Sequence, residues 1–198
     1  MRVKICGITN LKDALDAIDA GANALGFVFY TKSKRYIEPS EAKKIISQLP
    51  PFVQCVGLFV NETALAVNNI TKISSIDIAQ IHFEADDSFY DDLEVKSIKV
   101  VRAKSKEDIL KHKEKYRIVD AFVEQYGGEG KRLNLDWFKD IDCSKIILAG
   151  GLNASNVDEV NGFGFYSLDV SSGVELEKGR KSKEKMNEFI QLTNELCR

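Results

Sequence analysis

The sequence VKICGITNLKDALDAIDAGANALGFVF, residues 3–29, places two short apolar runs on either side of a segment with helical periodicity. The runs at 3–6 and 24–29 are apolar on successive residues, which is typical of strands covered on both faces. The segment between them predicts a helix, capped by Thr9 or Asn10 and ending near Gly21, whose apolar face is Leu11, Ala14, Leu15 and Ile18. This stretch therefore predicts a strand–helix–strand unit of a parallel sheet.

The same alternation continues along the chain. Eight strands are predicted, at 3–6, 24–29, 54–60, 76–81, 98–102, 118–122, 145–149 and 165–170. Further helices are predicted at 42–49, 63–73, 105–116, 156–162 and 186–196, and a short one at 86–93. About 25 residues per strand–helix unit in 198 residues predicts a compact (β/α)₈ TIM barrel, with residues 1–198 as a single domain. The alternative, an open doubly wound sheet, normally uses about five or six strands.

The composition excludes several classes of protein. The 28 Lys+Arg and 30 Asp+Glu residues nearly cancel, so we expect no binding to nucleic acid or to an anionic membrane. With neither a membrane-length apolar stretch nor a secretory signal, we expect a cytoplasmic protein. The four cysteines form no CxxC pair, and two histidines cannot make a multi-histidine site, so we expect no metal and no cofactor.

Two residues at predicted strand ends could move protons. Cys6 ends the first strand, where its thiol would face the mouth of a barrel and could act as a base or nucleophile, or be a small core residue. Asp120 lies within an apolar strand, where burial would raise its pKa into the range of a general acid, unless it caps backbone amides of the next loop.

Two glycine-bearing loops predict a phosphate site. Gly150 and Gly151 follow the seventh strand, and Ser171 and Ser172 follow the eighth. Small residues allow backbone N–H groups to converge on an anion, and this pair of loops binds phosphate in many barrels. Two tight turns that merely need glycine are the alternative.

Further candidates lie at other strand ends. Arg35 and Arg102 could each fork onto a carboxylate or phosphate, and His82 ends the fourth strand. The segment Tyr126-Gly127-Gly128-Glu129-Gly130-Lys131 could close over a substrate or be a simple loop.

Together these motifs resemble the phosphoribosylanthranilate isomerase family of tryptophan biosynthesis, over essentially the whole chain. The motifs that carry the resemblance are Lys4-Ile5-Cys6-Gly7-Ile8-Thr9, Ser33-Lys34-Arg35-Tyr36, Val56-Gly57-Leu58-Phe59-Val60-Asn61, Gln80-Ile81-His82, Asp120 with the glycine segment 126–131, Asp136-Trp137, Leu148-Ala149-Gly150-Gly151-Leu152 and Asp169-Val170-Ser171-Ser172-Gly173-Val174-Glu175. The family's activity is an Amadori rearrangement that converts N-(5-phosphoribosyl)anthranilate to 1-(2-carboxyphenylamino)-1-deoxyribulose 5-phosphate.

The resemblance implies roles for particular residues. Asp120 would be the general acid and Cys6 the general base. Gly150, Gly151, Ser171 and Ser172 would hold the substrate phosphate, with no cofactor and either a monomer or a homodimer as the assembly. The remaining implied substrate-binding residues are Arg35, facing the anthranilate carboxylate or its surroundings, His82, Gly128 and Asp169. Two positions depart from the family pattern, Phe83 for a usual glycine and Glu129 for a usual threonine or serine.

Two other functions fit parts of the pattern. A different phosphosugar enzyme, such as a ribulose-phosphate epimerase or the tryptophan synthase α chain, would need metal ligands or paired carboxylates and a longer chain. A phosphate-ligand sensor on the same scaffold would have no need of an acid and a base.

Overall fold

The computed structural model describes residues 1–121 and 132–196 and contains a closed barrel of eight parallel strands, paired in chain order with the first against the last. This confirms the predicted fold. The strands are β1 (Arg2–Cys6), β2 (Ala24–Val28), β3 (Gln54–Phe59), β4 (Ile78–Ile81), β5 (Lys96–Ala103), β6 (Arg117–Ala121), β7 (Ile146–Leu148) and β8 (Ser167–Val170).

Six α-helices lie in the described part of the chain, and most follow the predicted periodicity. They are α1 (Leu11–Asp19), α2 (Pro39–Ile46), α3 (Ala64–Ser74), α4 (Asp87–Asp91), α5 (Lys106–Ile109) and α6 (Lys183–Glu195). Asn10 caps α1, because its side chain accepts a hydrogen bond from Asp13 N at 2.8 Å.

Two predicted helices are much shorter than expected. The prediction of a helix over 105–116 is wrong beyond α5, because residues 111–115 are all polar and His112 adopts a φ of 55°. The segment 156–162 forms only a 3₁₀ turn, Val157–Val160, since its two valines cover a single turn and Gly162 then reverses the chain at a φ of 83°. A helix without a continuous apolar face has nothing to bury against the barrel.

The main hydrophobic core lies between the barrel and its helices. It contains the largest fully buried apolar side chains, among them Phe27, Phe59, Phe138 and Phe189. A second cluster of Val100, Ile118 and Ala149, with Ile98 and Ile147 packed against it, lies inside the barrel. Filling the barrel with side chains leaves its mouth, at the carboxyl ends of the strands, as the place where polar groups meet.

Strand register decides which polar groups meet there. Lys4 of β1 is the Cα partner of Asp169 in β8, and Cys6 is the partner of Gly26 in β2. On the other side of the barrel, Arg102 of β5 is the partner of Asp120 in β6.

After β8 the chain forms a 3₁₀ turn (Ser172–Val174) and a small hairpin of β9 (Glu175–Glu177) and β10 (Arg180–Lys181) before α6. A third 3₁₀ turn spans Leu135–Phe138. In residues 1–121 and 132–196, no helix has both the length and the apolar character needed to cross a bilayer.

Candidate active site

Cys6 lies at the carboxyl end of β1 with its thiol in the barrel mouth, as predicted. The residue is 7% exposed. Burial raises the pKa of the thiol above its ordinary value, while the positive charge of Lys4 acts in the opposite direction. The thiolate is the basic form of the side chain. Cys6 can therefore accept a proton once a nearby positive charge stabilises its ionised state.

Asp120 lies on β6, three strands from Cys6 around the barrel, through β7 and β8. Its side chain is 27% exposed, and its Oδ1 accepts a hydrogen bond from Ala121 N at 2.8 Å. Burial and the negative charge of Asp169 raise its pKa to about 6. A carboxyl group with this pKa can be protonated near neutral pH, as a general acid must be.

His82 follows β4 and faces Asp120 across the mouth. Its Nε2 lies 3.9 Å from Asp120 Oδ2. Burial, followed by the charges of Arg102 and Lys4, lowers the pKa of His82 to about 4. At this pKa the imidazole is neutral at pH 7, so it carries no positive charge that would lower the pKa of the neighbouring Asp120.

Lys4 also lies in the site, bonded to Asp169, although the sequence did not predict it as a site residue. Lys4 Nζ donates a hydrogen bond to Asp169 Oδ2 at 2.8 Å, and the two residues are 5% and 7% exposed. The other carboxylate oxygen, Oδ1, is buried with no hydrogen-bond partner in the described part of the chain. Lys4 and Cys6 are two residues apart on one strand, and this spacing was the signal that could have placed both side chains inside the barrel.

Arg35 does fork onto a carboxylate, but the carboxylate belongs to the protein. Its Nε and Nη2 each donate to Glu175 at 2.7 Å. Lys181 Nζ adds a third bond to Glu175 Oε1 at 2.9 Å. Although burial alone would raise it, these cations hold the pKa of Glu175 below its ordinary value. Arg35 thus lies at the edge of the site as part of a buried network whose other members, Glu175 and Lys181, were not predicted.

The two loops predicted to bind phosphate lie against each other. Gly173 packs on the loop after β7 so closely that a Cβ atom there would lie 1.9 Å from Leu152 O. Within that loop, Asn156 Nδ2 donates to Gly151 O at 3.0 Å. Gly150 and Gly151 both have positive φ, 93° and 64°. The loop after β7, which contains Gly150 and Gly151, and the loop after β8, which contains Ser171 and Ser172, are therefore in direct contact.

The Ser171 loop is also joined to Cys6. Ser171 Oγ donates to Cys6 O at 3.0 Å, and Lys181 Nζ donates to Ser171 O at 3.1 Å. The base candidate and the Ser171 loop therefore share a hydrogen-bond network.

Three of the sequence predictions fall on residues 122–131. Gly128, expected to bind substrate, the departure at Glu129, and the glycine segment 126–131 that could close over a substrate all lie outside the described residues. The departure at Phe83 is described: its ring packs edge-on against Phe89 of α4, with centroids 5.3 Å apart. The loop after β4 is therefore held against α4 by an aromatic contact.

The described residues thus bring a thiol, a carboxyl group of raised pKa, a buried ion pair and two small-residue loops to one end of the barrel. An acid and a base at different points of the rim can transfer protons at different atoms of one bound molecule.

Comparison with known proteins agrees with this arrangement. The family model described as "N-(5'phosphoribosyl)anthranilate (PRA) isomerase" matches residues 3–192. The N-(5'-phosphoribosyl)anthranilate isomerase of a Nitratiruptor species is 59% identical over 191 residues, covering 96% of this chain and 97% of that protein.

Solved structures give the same result. The crystal structure of phosphoribosyl anthranilate isomerase from Thermus thermophilus is 33% identical with a TM-score of 0.89, covering 99% of this chain and 100% of that one. A phosphoribosyl anthranilate isomerase in complex with reduced 1-(o-carboxyphenylamino)-1-deoxyribulose 5-phosphate is 36% identical with a TM-score of 0.85, covering 98% and 99% of the two chains.

Proposed function

Because the chain belongs to the N-(5'-phosphoribosyl)anthranilate isomerase family of tryptophan biosynthesis, and is an isomerase, we propose that Asp120 is its general acid and Cys6 its general base. The substrate is N-(5'-phosphoribosyl)anthranilate and the reaction an Amadori rearrangement. The observation that carries the proposal is the pairing of a carboxyl group of raised pKa on β6 with a thiol on β1, both at the carboxyl end of the barrel.

The first step opens the sugar ring. The Asp120 carboxyl group donates its proton to the furanose oxygen, the bond from that oxygen to C1 breaks, and the anthranilate nitrogen supplies the electron pair that forms a Schiff base. Asp120 is left as a carboxylate. Its pKa of about 6 suits this step, because a weaker acid would transfer the proton less readily and a stronger acid would be ionised before reaction.

The second step removes the C2 proton. The Cys6 thiolate takes this proton, and the electrons of the C–H bond form the C1–C2 double bond while neutralising the Schiff base. The resulting enolamine gains a proton at C1 and loses its C2 hydroxyl proton to give the ketone. Two groups on different strands suit the reaction because its two proton transfers occur at different atoms of the sugar.

The remaining groups bind the substrate. Backbone N–H groups of Gly150 and Gly151 and the loop of Ser171 and Ser172 hold the phosphate, supported by the contact between the two loops. Asp169 Oδ1, buried and without a partner in the described residues, accepts a hydrogen bond from a sugar hydroxyl.

His82, neutral at pH 7, lines the sugar, and Gly128 is assigned to substrate binding from the family resemblance. Arg35 lies near the anthranilate carboxylate, with its guanidinium oriented by Glu175.

The proposal is tested by the loss of anthranilate fluorescence when enzyme is added to substrate generated in situ. Cys6→Ala and Asp120→Asn should each lower kcat/KM by about a hundred- to ten-thousand-fold, the usual contribution of a general acid or base. Cys55→Ala, which removes a buried thiol of β3, and Asp91→Asn, which removes an exposed carboxylate of α4, are the matched controls and should retain activity.

Unfolding would not explain a loss of activity in Asp120→Asn. Because the pKa of Asp120 is raised in the folded state, its ionisation at pH 7 opposes folding, and the amide variant should melt at or above the temperature of the unsubstituted enzyme. Full turnover in both Cys6→Ala and Asp120→Asn would refute the assignment.

A further inference from the structure

Lys4 is a buried cation that the steps above leave without a role. It lies on the inward side of β1, two residues before Cys6, and its ammonium bonds to Asp169 Oδ2 at 2.8 Å. The exposed fractions of the two side chains are both 7%. A buried ion pair costs much of its attraction in lost hydration, so it is a poor device for stability alone.

The packing around Gly26 sets Lys4 beside the thiol. A Cβ atom on Gly26 would lie 2.8 Å from Cys6 Sγ and 3.1 Å from Lys4 Cε. Both side chains therefore occupy the space that the missing side chain leaves, one next to the other. This arrangement keeps the end of the lysine chain close to the sulfur.

Other charges also face Cys6, and they come from three further elements. Asp169 lies on β8, Lys181 on β10 and Arg35 in the loop after β2. Lys181 and Arg35 share the carboxylate of Glu175, which offsets their charge. Among all these charges, that of Lys4 does most to lower the pKa of Cys6, against the larger rise that burial causes.

We propose that Lys4 is a positioning residue for the reaction: its ammonium, held over Cys6 by Asp169, stabilises the thiolate that takes the C2 proton. The inference rests on the proposed role of Cys6 as the base. Without the ammonium, a thiol buried to this degree would ionise rarely at neutral pH. Despite its burial, the adjacent Asp169 carboxylate raises the pKa of Lys4, so that the ammonium stays charged over the working pH range.

The competing explanation is that the ion pair of Lys4 and Asp169 only joins β1 to β8. The two explanations can be separated because the two residues carry opposite charges. The positive charge of Lys4 favours the thiolate, whereas the negative charge of Asp169 opposes it. If the pair only joins the strands, Lys4→Met and Asp169→Asn should disturb Cys6 in the same direction. If Lys4 acts by its charge, the two variants should move the ionisation of Cys6 in different directions.

The test measures the ionisation of Cys6 without turnover. The rate constant for alkylation of Cys6 by iodoacetamide is followed against pH by peptide mass spectrometry, with Cys6→Ala to identify the peptide. Lys4→Met should lower the rate constant at pH 7 by about tenfold or more, the effect of a shift of one pH unit in the midpoint. Asp169→Asn should have a midpoint at or below that of the unsubstituted enzyme.

An unchanged or lower midpoint in Lys4→Met, or an equal rise in both variants, would overturn the inference. If Lys4→Met does not give the circular dichroism spectrum of a folded barrel, Lys4→Gln carries the same expectation. The kinetics separate this proposal from the preceding one. If Cys6→Ala loses turnover but alkylation is unchanged in Lys4→Met, only the role of Lys4 is refuted. If Cys6→Ala keeps full turnover, Cys6 is not the base, and the role of Lys4 in the reaction is refuted with it.

Discussion

At the scale of single residues, the pKa values of the two proposed proton-transfer groups lie in the opposite order to the one that the reaction would favour. Burial raises the pKa of Asp120 to about 6, and it also raises that of Cys6 above the ordinary value for a thiol. The reactive form needs Asp120 protonated and Cys6 ionised, so it is a minor form at every pH. Neighbouring charges such as Lys4 then decide how rare that form is.

The pH dependence of kcat/KM follows from these two pKa values. Below pH 6, Asp120 is already protonated, and the fraction of Cys6 present as thiolate decreases as the pH is lowered. Above the pKa of Cys6, the thiol is fully ionised, and the fraction of Asp120 that is protonated decreases as the pH is raised. We expect a bell-shaped profile with its acid limb near pH 6, measured by the fluorescence assay.

The same assay on Asp120→Asn distinguishes the two limbs. The residual activity should lose the limb near pH 6 and rise continuously to the pKa of Cys6, because only the thiol still titrates. An acid limb that persists near pH 6 in this variant would assign it to another group.

The sequence was sufficient to predict where Cys6 and Asp120 lie. Both are at strand ends, and a strand end in a barrel is local information. The partners of Lys4 and Arg35 were not predictable in this way, because Asp169 is 165 residues from Lys4 and Glu175 is 140 residues from Arg35. Arg35 was predicted to fork onto a carboxylate or a phosphate, but Glu175 becomes its partner only when the barrel closes.

At the scale of elements, the two loops proposed to bind phosphate depend on contact between two neighbouring βα connections. Gly173, in the 3₁₀ turn after β8, lies directly over Leu152 O of the loop after β7. Any side chain at this position would push the loops apart, and overpacking of this kind typically costs about 1–3 kcal/mol.

We therefore expect Gly173→Ala to raise KM by about tenfold, with a smaller change in kcat, because the proposed role of the loops is to hold the phosphate and not to transfer protons. Gly164→Ala is the control. It introduces strain at a φ of 71°, but its Cβ atom would meet nothing within 4 Å. It should lower the melting temperature without changing KM. An unchanged KM in Gly173→Ala would show that the phosphate binds elsewhere.

The elements themselves were predicted to different extents. All eight barrel strands were identified because each carries an apolar run of its own, whereas the short hairpin of β9 and β10 was not predicted. The lengths of the helices after β5 and β7 were overestimated. Their sequences are compatible with a helix, but only one turn of apolar side chains, such as Val157 and Val160, can pack against the barrel. Tertiary packing, more than local propensity, determines where such a helix ends.

At the scale of the whole molecule, closure of the barrel is what makes one site from distant residues. The β1–β8 pairing joins the first strand to the last and places Lys4 beside Asp169. It also brings Ser171 Oγ to Cys6 O, so that the proposed phosphate loop and the proposed base are connected. The formal net charge of −2 is compatible with an anionic substrate, because local donors at the two loops can bind phosphate without a basic surface.

The central claim is that Cys6 removes the C2 proton and Asp120 opens the ring, and a kinetic isotope effect tests it most directly. Substrate with deuterium at C2 of the ribose is compared with unlabelled substrate in the fluorescence assay. In Cys6→Ser, breaking of the C2–H bond should limit turnover and the full primary isotope effect should appear. In Asp120→Asn, ring opening should limit turnover and the effect should fall to near unity. The reverse pattern, or equal isotope effects in both variants, would contradict these assignments.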